Sequence, residues 1–261
     1  RAARAGLAKL MQTDAEILML TAPASAMMEA AVRNLVHTRS LHLVNGAFSK
    51  RWFNIGVANG TQAEKLEVPM GEAVTGPMLQ KVLQDAAEDG RTFDIITVVH
   101  SETSTGTVTP IADLADVLQD FPDTLLCVDS VSSMAGTSVP VDEWKMDVCL
   151  FGLQKCLALP AGMSIASVSK RAMARAEQVP SRGWLLDYVR LRDKNVKEQS
   201  PTTPSTAHLY ALVKQLQRID AEGVHDRYAR HEAMAKRVRE WAHGKGWHMF
   251  PAEGFQSATV S

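Results

Sequence analysis

Apolar residues along this chain follow two alternating rhythms. Short, mostly apolar runs at 16–20, 41–44, 66–68, 95–100, 125–128, 147–151 and 164–168 are bounded by polar turns. Most are too brief for helices and rich in β-branched residues, which predicts buried strands. Between them, apolar residues recur at helical spacing over 25–35, 49–57, 77–87 and from Pro110 toward Leu118. Pro77 and Pro110 suit first helical turns. The opening RAARAGLAKLMQ also places Ala, Leu and Met on one helix face. Strands that alternate with helices predict an α/β fold with a mainly parallel sheet between helical layers. After Pro204 the pattern is helical only, over 207–219 and about 226–242. No internal repeat or low-complexity segment interrupts it.

Composition narrows the class. The 261 residues are 46% hydrophobic, enough for one large α/β domain or a large domain plus part of a smaller one. The formal net charge of −1 gives no attraction to nucleic acid or anionic membranes. No apolar run approaches the roughly 20 residues that span a bilayer, and no signal peptide opens the chain. Cys127, Cys149 and Cys156 lie in or beside apolar runs and read as small buried hydrophobes in a reducing compartment. The expectation is a cytoplasmic soluble enzyme.

Chemistry concentrates in LLCVDSVSSMAGTSVPVDEWKMDVCLFGLQK, residues 125–155. One expected strand ends in Asp129; the next ends in Gly152-Leu153-Gln154-Lys155. An acid and an amine therefore follow the carboxyl ends of two strands, where open α/β sheets place ligands. Pyridoxal 5′-phosphate needs both: a lysine for its aldehyde and an acid for its ring nitrogen.

Asp129-Ser130-Val131-Ser132-Ser133, Gly136, Asp142-Glu143-Trp144 and Gly152-Leu153-Gln154-Lys155, in this order, resemble the class V (fold type I) aminotransferases. The likeness is to the alanine–glyoxylate and serine–glyoxylate group, and it extends from Leu18 to Glu240. It implies a seven-stranded-type sheet sandwiched by helices in a large cofactor domain (1–220). The start of a small α+β domain would follow (221–261), with GFQSATVS as its first strand. The resemblance covers about two thirds of a full enzyme. The family's N-terminal arm and its later substrate-carboxylate arginine have no counterpart here.

The resemblance also assigns roles. Lys155 would carry the cofactor, from a site whose apolar setting frees its amine, and Asp129 would keep the ring nitrogen protonated. Phe48 would stack on one ring face and Val131 pack on the other. Thr103 would contact the ring hydroxyl. Ala24 and Ser25 would offer amides to the phosphate, with Gln154 nearby. Thr202, or its neighbour Thr203, would reach the phosphate site of a partner subunit, so that active sites are shared in a homodimer. Taken alone, Ser25 also reads as an ordinary helix cap, Phe48 as core, and the Pro/Thr loop at 199–204 as the lead into a helix.

Two departures are visible. Ala22, Pro23 and Ala24 stand where the family has glycines, and proline lacks an N–H. Gln199 stands where a tyrosine is frequent. Gln154, before the lysine, agrees with the glyoxylate group, where desulfurases and kynureninases of the wider class typically have histidine. His100-Ser101-Glu102 is not read as a nucleophile and base, because neighbours on a turn rarely aim together; His100 and Glu102 read as support. The implied function is amino transfer from a small amino acid, alanine or serine, to a 2-oxo acid such as glyoxylate or pyruvate, with ping-pong kinetics. A lyase, desulfurase or epimerase of the same fold, and a non-catalytic protein, are the alternatives.

Overall fold

The computed structural model describes residues 1–261. In chain order the strands are β1 (Glu16–Leu20), β2 (Arg39–Val44), β3 (Gln62–Glu67), β4 (Ile95–Val99), β5 (Ser101–Glu102), β6 (Thr107–Val108), β7 (Leu125–Asp129), β8 (Val148–Gly152) and β9 (Ser164–Val168). The helices are α1 (Ala2–Met11), α2 (Ala24–Leu35), α3 (Ala47–Ala58), α4 (Gly76–Glu88), α5 (Ile111–Val117), α6 (Lys170–Gln178), α7 (Tyr188–Val196), α8 (Thr206–Glu222) and α9 (Val224–Gly244). No helix is long and apolar enough to cross a membrane.

Seven strands form one sheet in the order β1-β9-β8-β7-β4-β2-β3. The run from β8 to β3 is parallel, while β9 is antiparallel to both its neighbours. Every residue of β4, β7, β8 and β9 is buried, which explains why they lack apolar–polar alternation: a sheet covered on both faces has no solvent side. Successive side chains still point to opposite layers. Leu126 and Val128 join one core with Leu7, Leu79, Leu114 and Leu212 of α1, α4, α5 and α8. Leu125 and Cys127 join the other with Met27, Trp52, Ala172 and Tyr188 of α2, α3, α6 and α7.

Several sequence expectations need correction. β3 begins at Gln62, not Leu66, because pairing along the whole of β2 holds a mostly polar edge strand in place. β4 stops at Val99, and the His100 N–H turns to the Asp129 carbonyl. Helices α6 and α7 were not anticipated. Each has nine residues and a side-chain cap: the Ser169 hydroxyl accepts from Ala172 N–H, and Asp187 accepts from Val189 and Arg190 N–H. Residues 254–261 do not form a strand. They make a single bridge, Gln256 to Thr107, and lie on the β5–β6 hairpin, where Ser257 donates its N–H to the Gly106 carbonyl.

The topology marks one position for a ligand. From β2 the chain moves outward to β3, then returns past β2 to β4. Connections therefore leave β2 and β4 toward opposite faces: α3, after β2, contributes Trp52 to one core, and α5, after β4, contributes Leu114 to the other. Such a switch point opens a crevice at the carboxyl ends of the strands.

Candidate active site

The turns after β2, β4, β7 and β8 meet at that end of the sheet. Gly46 follows β2 and opens α3. Glu102 follows β4 and is fully buried. Its carboxylate accepts from the backbone N–H groups of Phe48, Ser49 and Ser104, and from both serine hydroxyls. It thus satisfies first-turn donors of α3 that have no intrahelical acceptor and joins the two sides of the crevice. Gly46 makes room for it: a Cβ there would lie 2.4 Å from Glu102 Cγ.

Asp129 ends β7 and is 3% exposed. One hydrogen bond reaches its carboxylate, from Val131 N–H to Oδ1 at 2.7 Å. Burial pushes its carboxyl up to about 7; the Val131 bond opposes the rise, the Glu102 charge adds to it and Arg51 opposes it. The turn after Asp129 is drawn to the turn after β4 by the hydrogen bond between the Thr103 and Ser132 hydroxyls. His100 Nδ1 pairs with Ser133 Oγ at 2.9 Å, and its ring meets Trp144 edge-on at 5.4 Å. Burial pulls the His100 imidazole down to about 4, so it is neutral and supports the turn.

β8 lies parallel to β7, with Leu150 in register with Asp129. Beyond it, Leu153 and Leu157 turn into the core, while Gln154 and Lys155 face outward and are exposed. The apolar setting expected for Lys155 is therefore absent in the chain alone; the apolar residues of the turn point the other way. Its Nζ forms no ion pair or hydrogen bond, and the side chain is exposed. Gln154 folds back over Gly152, where a Cβ would lie 2.3 Å from Gln154 Oε1. That is the close approach for which only glycine leaves space.

Helix α2 begins after Pro23, which serves as its N-cap without a side-chain bond. Ala24 and Ser25 are first-turn residues whose N–H groups have no intrahelical acceptor. Arg51 joins this end to the ring-stacking candidate: its guanidinium donates to Ser25 Oγ at 3.3 Å and lies 4.7 Å from the Phe48 ring centre. Val131 is partly buried and packs against both cores. Thr202 is exposed, and no hydrogen bond joins it to the other candidate residues. Its loop is hydrogen-bonded to the α2 turn through Ser205 N–H, which donates to Thr21 Oγ1.

The donor set fits pyridoxal 5′-phosphate. A buried carboxylate with a single protein donor lacks the partner that a protonated ring nitrogen would provide, and an exposed amine stands past the adjacent strand. Arg51 and Ser132 were not identified from sequence, and Glu102 was read only as support. Arg51 sits one helical turn beyond Phe48, a spacing that could have found it.

The class V aminotransferase profile matches residues 2–241. An uncharacterised aminotransferase of Methanocaldococcus jannaschii is 34% identical over 98% of this chain and 66% of its own length. A protein of Synechococcus named soluble hydrogenase, small subunit, is 29% identical over 98% of this chain and 67% of its own. The solved structure of alanine–glyoxylate aminotransferase from Nostoc superposes with a TM-score of 0.89 at 25% identity, covering 98% of this chain and 68% of that one. The chain thus spans about two thirds of the length of these relatives. With the profile running through α1 to α9 and the acid and lysine at the ends of adjacent parallel strands, this chain belongs to the class V aminotransferase family.

Proposed function

We propose that this chain is the cofactor-binding part of a pyridoxal-phosphate-dependent aminotransferase. The observation that carries the reading is the pairing of Asp129, buried with one protein hydrogen bond, with the exposed, unpaired Lys155 past the neighbouring strand. Lys155 would hold the cofactor covalently and Asp129 would keep a proton on its ring nitrogen. Phe48 and Val131 would hold the ring, Thr103 its hydroxyl, and Ala24, Ser25 and Gln154 its phosphate. The bound cofactor supplies an electron sink for a carbanion at the substrate Cα. Lys155 would be the base that moves a proton at the substrate Cα. Asp129 keeps the ring nitrogen positive while this happens. Two half-reactions on one site give ping-pong kinetics.

Alanine or serine is the proposed donor, and glyoxylate or pyruvate the acceptor; the name of the Nostoc relative supports a small donor with glyoxylate. Residues 1–220 form the large domain in this reading, and 221–261 lead into a small one. The exposed apolar face of Met234, Val238 and Trp241 on α9, continued by Trp247, supports a further layer over that helix. Exposed Thr202 supports the shared-site homodimer, and three unpaired cysteines support a cytoplasmic setting.

Borohydride reduction of the cofactor-treated protein, followed by peptide mapping, tests the reading. The wild type should carry a stable adduct on Lys155, and Lys155→Ala should carry none. An adduct retained in Lys155→Ala refutes it. Donor panels with glyoxylate and pyruvate then separate amino transfer from a lyase, desulfurase or epimerase, which would consume donor without transferring its amino group to the acceptor.

A further inference from the structure

Arg227 lies on α9 and is 7% exposed, an unusual place for a guanidinium. Each of its nitrogens is occupied. Nε donates to the Ala135 carbonyl at 2.8 Å, Nη2 donates to the Cys156 carbonyl at 2.6 Å, and Nη1 pairs with Glu222 at 2.9 Å. Ala135 belongs to the turn that follows Asp129, and Cys156 is the residue after Lys155. One planar fork therefore holds the acid's turn and the amine's turn together.

The seam between those turns is tight. Cys156 Sγ approaches the Ser132 carbonyl at 3.6 Å. A Cβ on Gly136 would lie 2.6 Å from Cys156 Sγ and 2.5 Å from Thr259 Cγ2. Ala135 itself has φ 71, a left-handed conformation that a non-glycine residue adopts at a cost. The Arg227 bond to its carbonyl helps to hold it there. These contacts do no chemistry on a substrate; they join the turn that follows Asp129 to the turn that carries Lys155.

We propose that Arg227 is a positioning residue that fixes the spacing between the Asp129 turn and the Lys155 turn, so that amine and acid address one cofactor. The proposal rests on the cofactor reading above. The geometry needs a fork: a lysine ammonium is a point charge on a flexible stem and cannot reproduce two fixed carbonyl bonds plus an ion pair.

The experiment compares wild type with Arg227→Lys, Arg227→Gln and Glu222→Gln, which removes the charge that anchors the fork from α8. Leu216→Ala serves as a stability control, since Leu216 packs against Gly6 of α1. Cofactor-free protein is mixed with pyridoxal phosphate, and the rate of borohydride-trapped incorporation at Lys155 is read. The pH midpoint of the visible band of the loaded protein is read as well. Arg227→Lys should load about tenfold more slowly or worse and shift the midpoint by about half a unit or more. Arg227→Gln should do more. Should the Arg227 variants not fold, Glu222→Gln should move both readouts the same way by less. Leu216→Ala should lower the melting temperature and leave both unchanged. Position-227 and Glu222→Gln proteins that load at the wild-type rate with the wild-type midpoint overturn the proposal alone. An equal midpoint shift in Leu216→Ala also overturns it. A wild type that takes up no cofactor overturns the cofactor reading and this proposal with it.

Discussion

Glu102 holds the backbone N–H of Phe48 across the crevice, with both carboxylate oxygens within 3.3 Å of that nitrogen. The contact joins the turn after β4 to the start of α3, so the ring-stacking candidate is placed by a residue on another strand. Glu102→Gln keeps the volume but turns an amide N–H₂ toward backbone N–H donors. We expect a loss of roughly 2–4 kcal/mol, the range for breaking a buried charge-assisted network. Gly46→Ala should be destabilising too, by roughly 1–3 kcal/mol, because its Cβ must displace Glu102. Urea midpoints at unchanged m-values check both.

Acid and base stability of the cofactor-free chain should follow three buried groups. Burial lowers the His42 and His100 imidazoles to about 4 from an unfolded value near 6.5. Their stabilisation is present above 6.5 and lost as pH falls through 4, roughly 3 kcal/mol each. Asp129 is raised to about 7 from 3.8, so its contribution has the opposite course. It is present below 3.8 and lost as pH rises through about 7, on the order of 4 kcal/mol. Wild-type stability should therefore fall gently between pH 6.5 and 4, with Asp129 offsetting about half of the histidine loss. Asp129→Asn should fall more steeply there and be more stable than wild type at pH 8. Urea midpoints from pH 4 to 8 decide; parallel curves for the two proteins would remove the raised carboxyl.

Arg51→Ala should uncover the Phe48 ring face and free Ser25 Oγ. The lost cation–π contact is worth roughly 0.5–1 kcal/mol at a partly exposed site. Because Arg51 opposes the rise in the Asp129 carboxyl, its removal should move that carboxyl further up. Carboxyl ¹³C chemical shifts followed through a pH titration would show the direction.

Asp147 provides a contrast at the other end of the sheet. It is 2% exposed and accepts from Leu126 N–H, Ser169 Oγ and two nitrogens of Arg171. Asp147→Ala should cost roughly 3–5 kcal/mol, as when one partner of a buried pair is removed. Below its lowered melting point it should still load cofactor at Lys155, which separates stability from site geometry.

The fold was legible in the sequence, and so was the placement of an acid and an amine past the ends of two strands. Strands 16–20 and 164–168 match to the residue, because short, mostly apolar runs are cut off sharply by polar turns. Asp129 and Lys155 stood out because a charged residue just past such a run sits at a strand end. β3 was blurred because an edge strand is specified by its partner more than by its own residues. α6 and α7 were missed because each is only nine residues long with a polar majority, too short to stand out as a helical stretch.

By itself, then, the order of residues determined an α/β sheet and which turns carry an amine and an acid, since burial and strand termination are written locally. Only the tertiary structure decided which distant groups hold those turns. Arg227 reaches carbonyls 92 and 71 residues away, and Glu102 reaches N–H groups more than 50 residues away. Hydrogen bonds of that range go to backbone atoms that every residue possesses, so no residue type at the receiving end announces them.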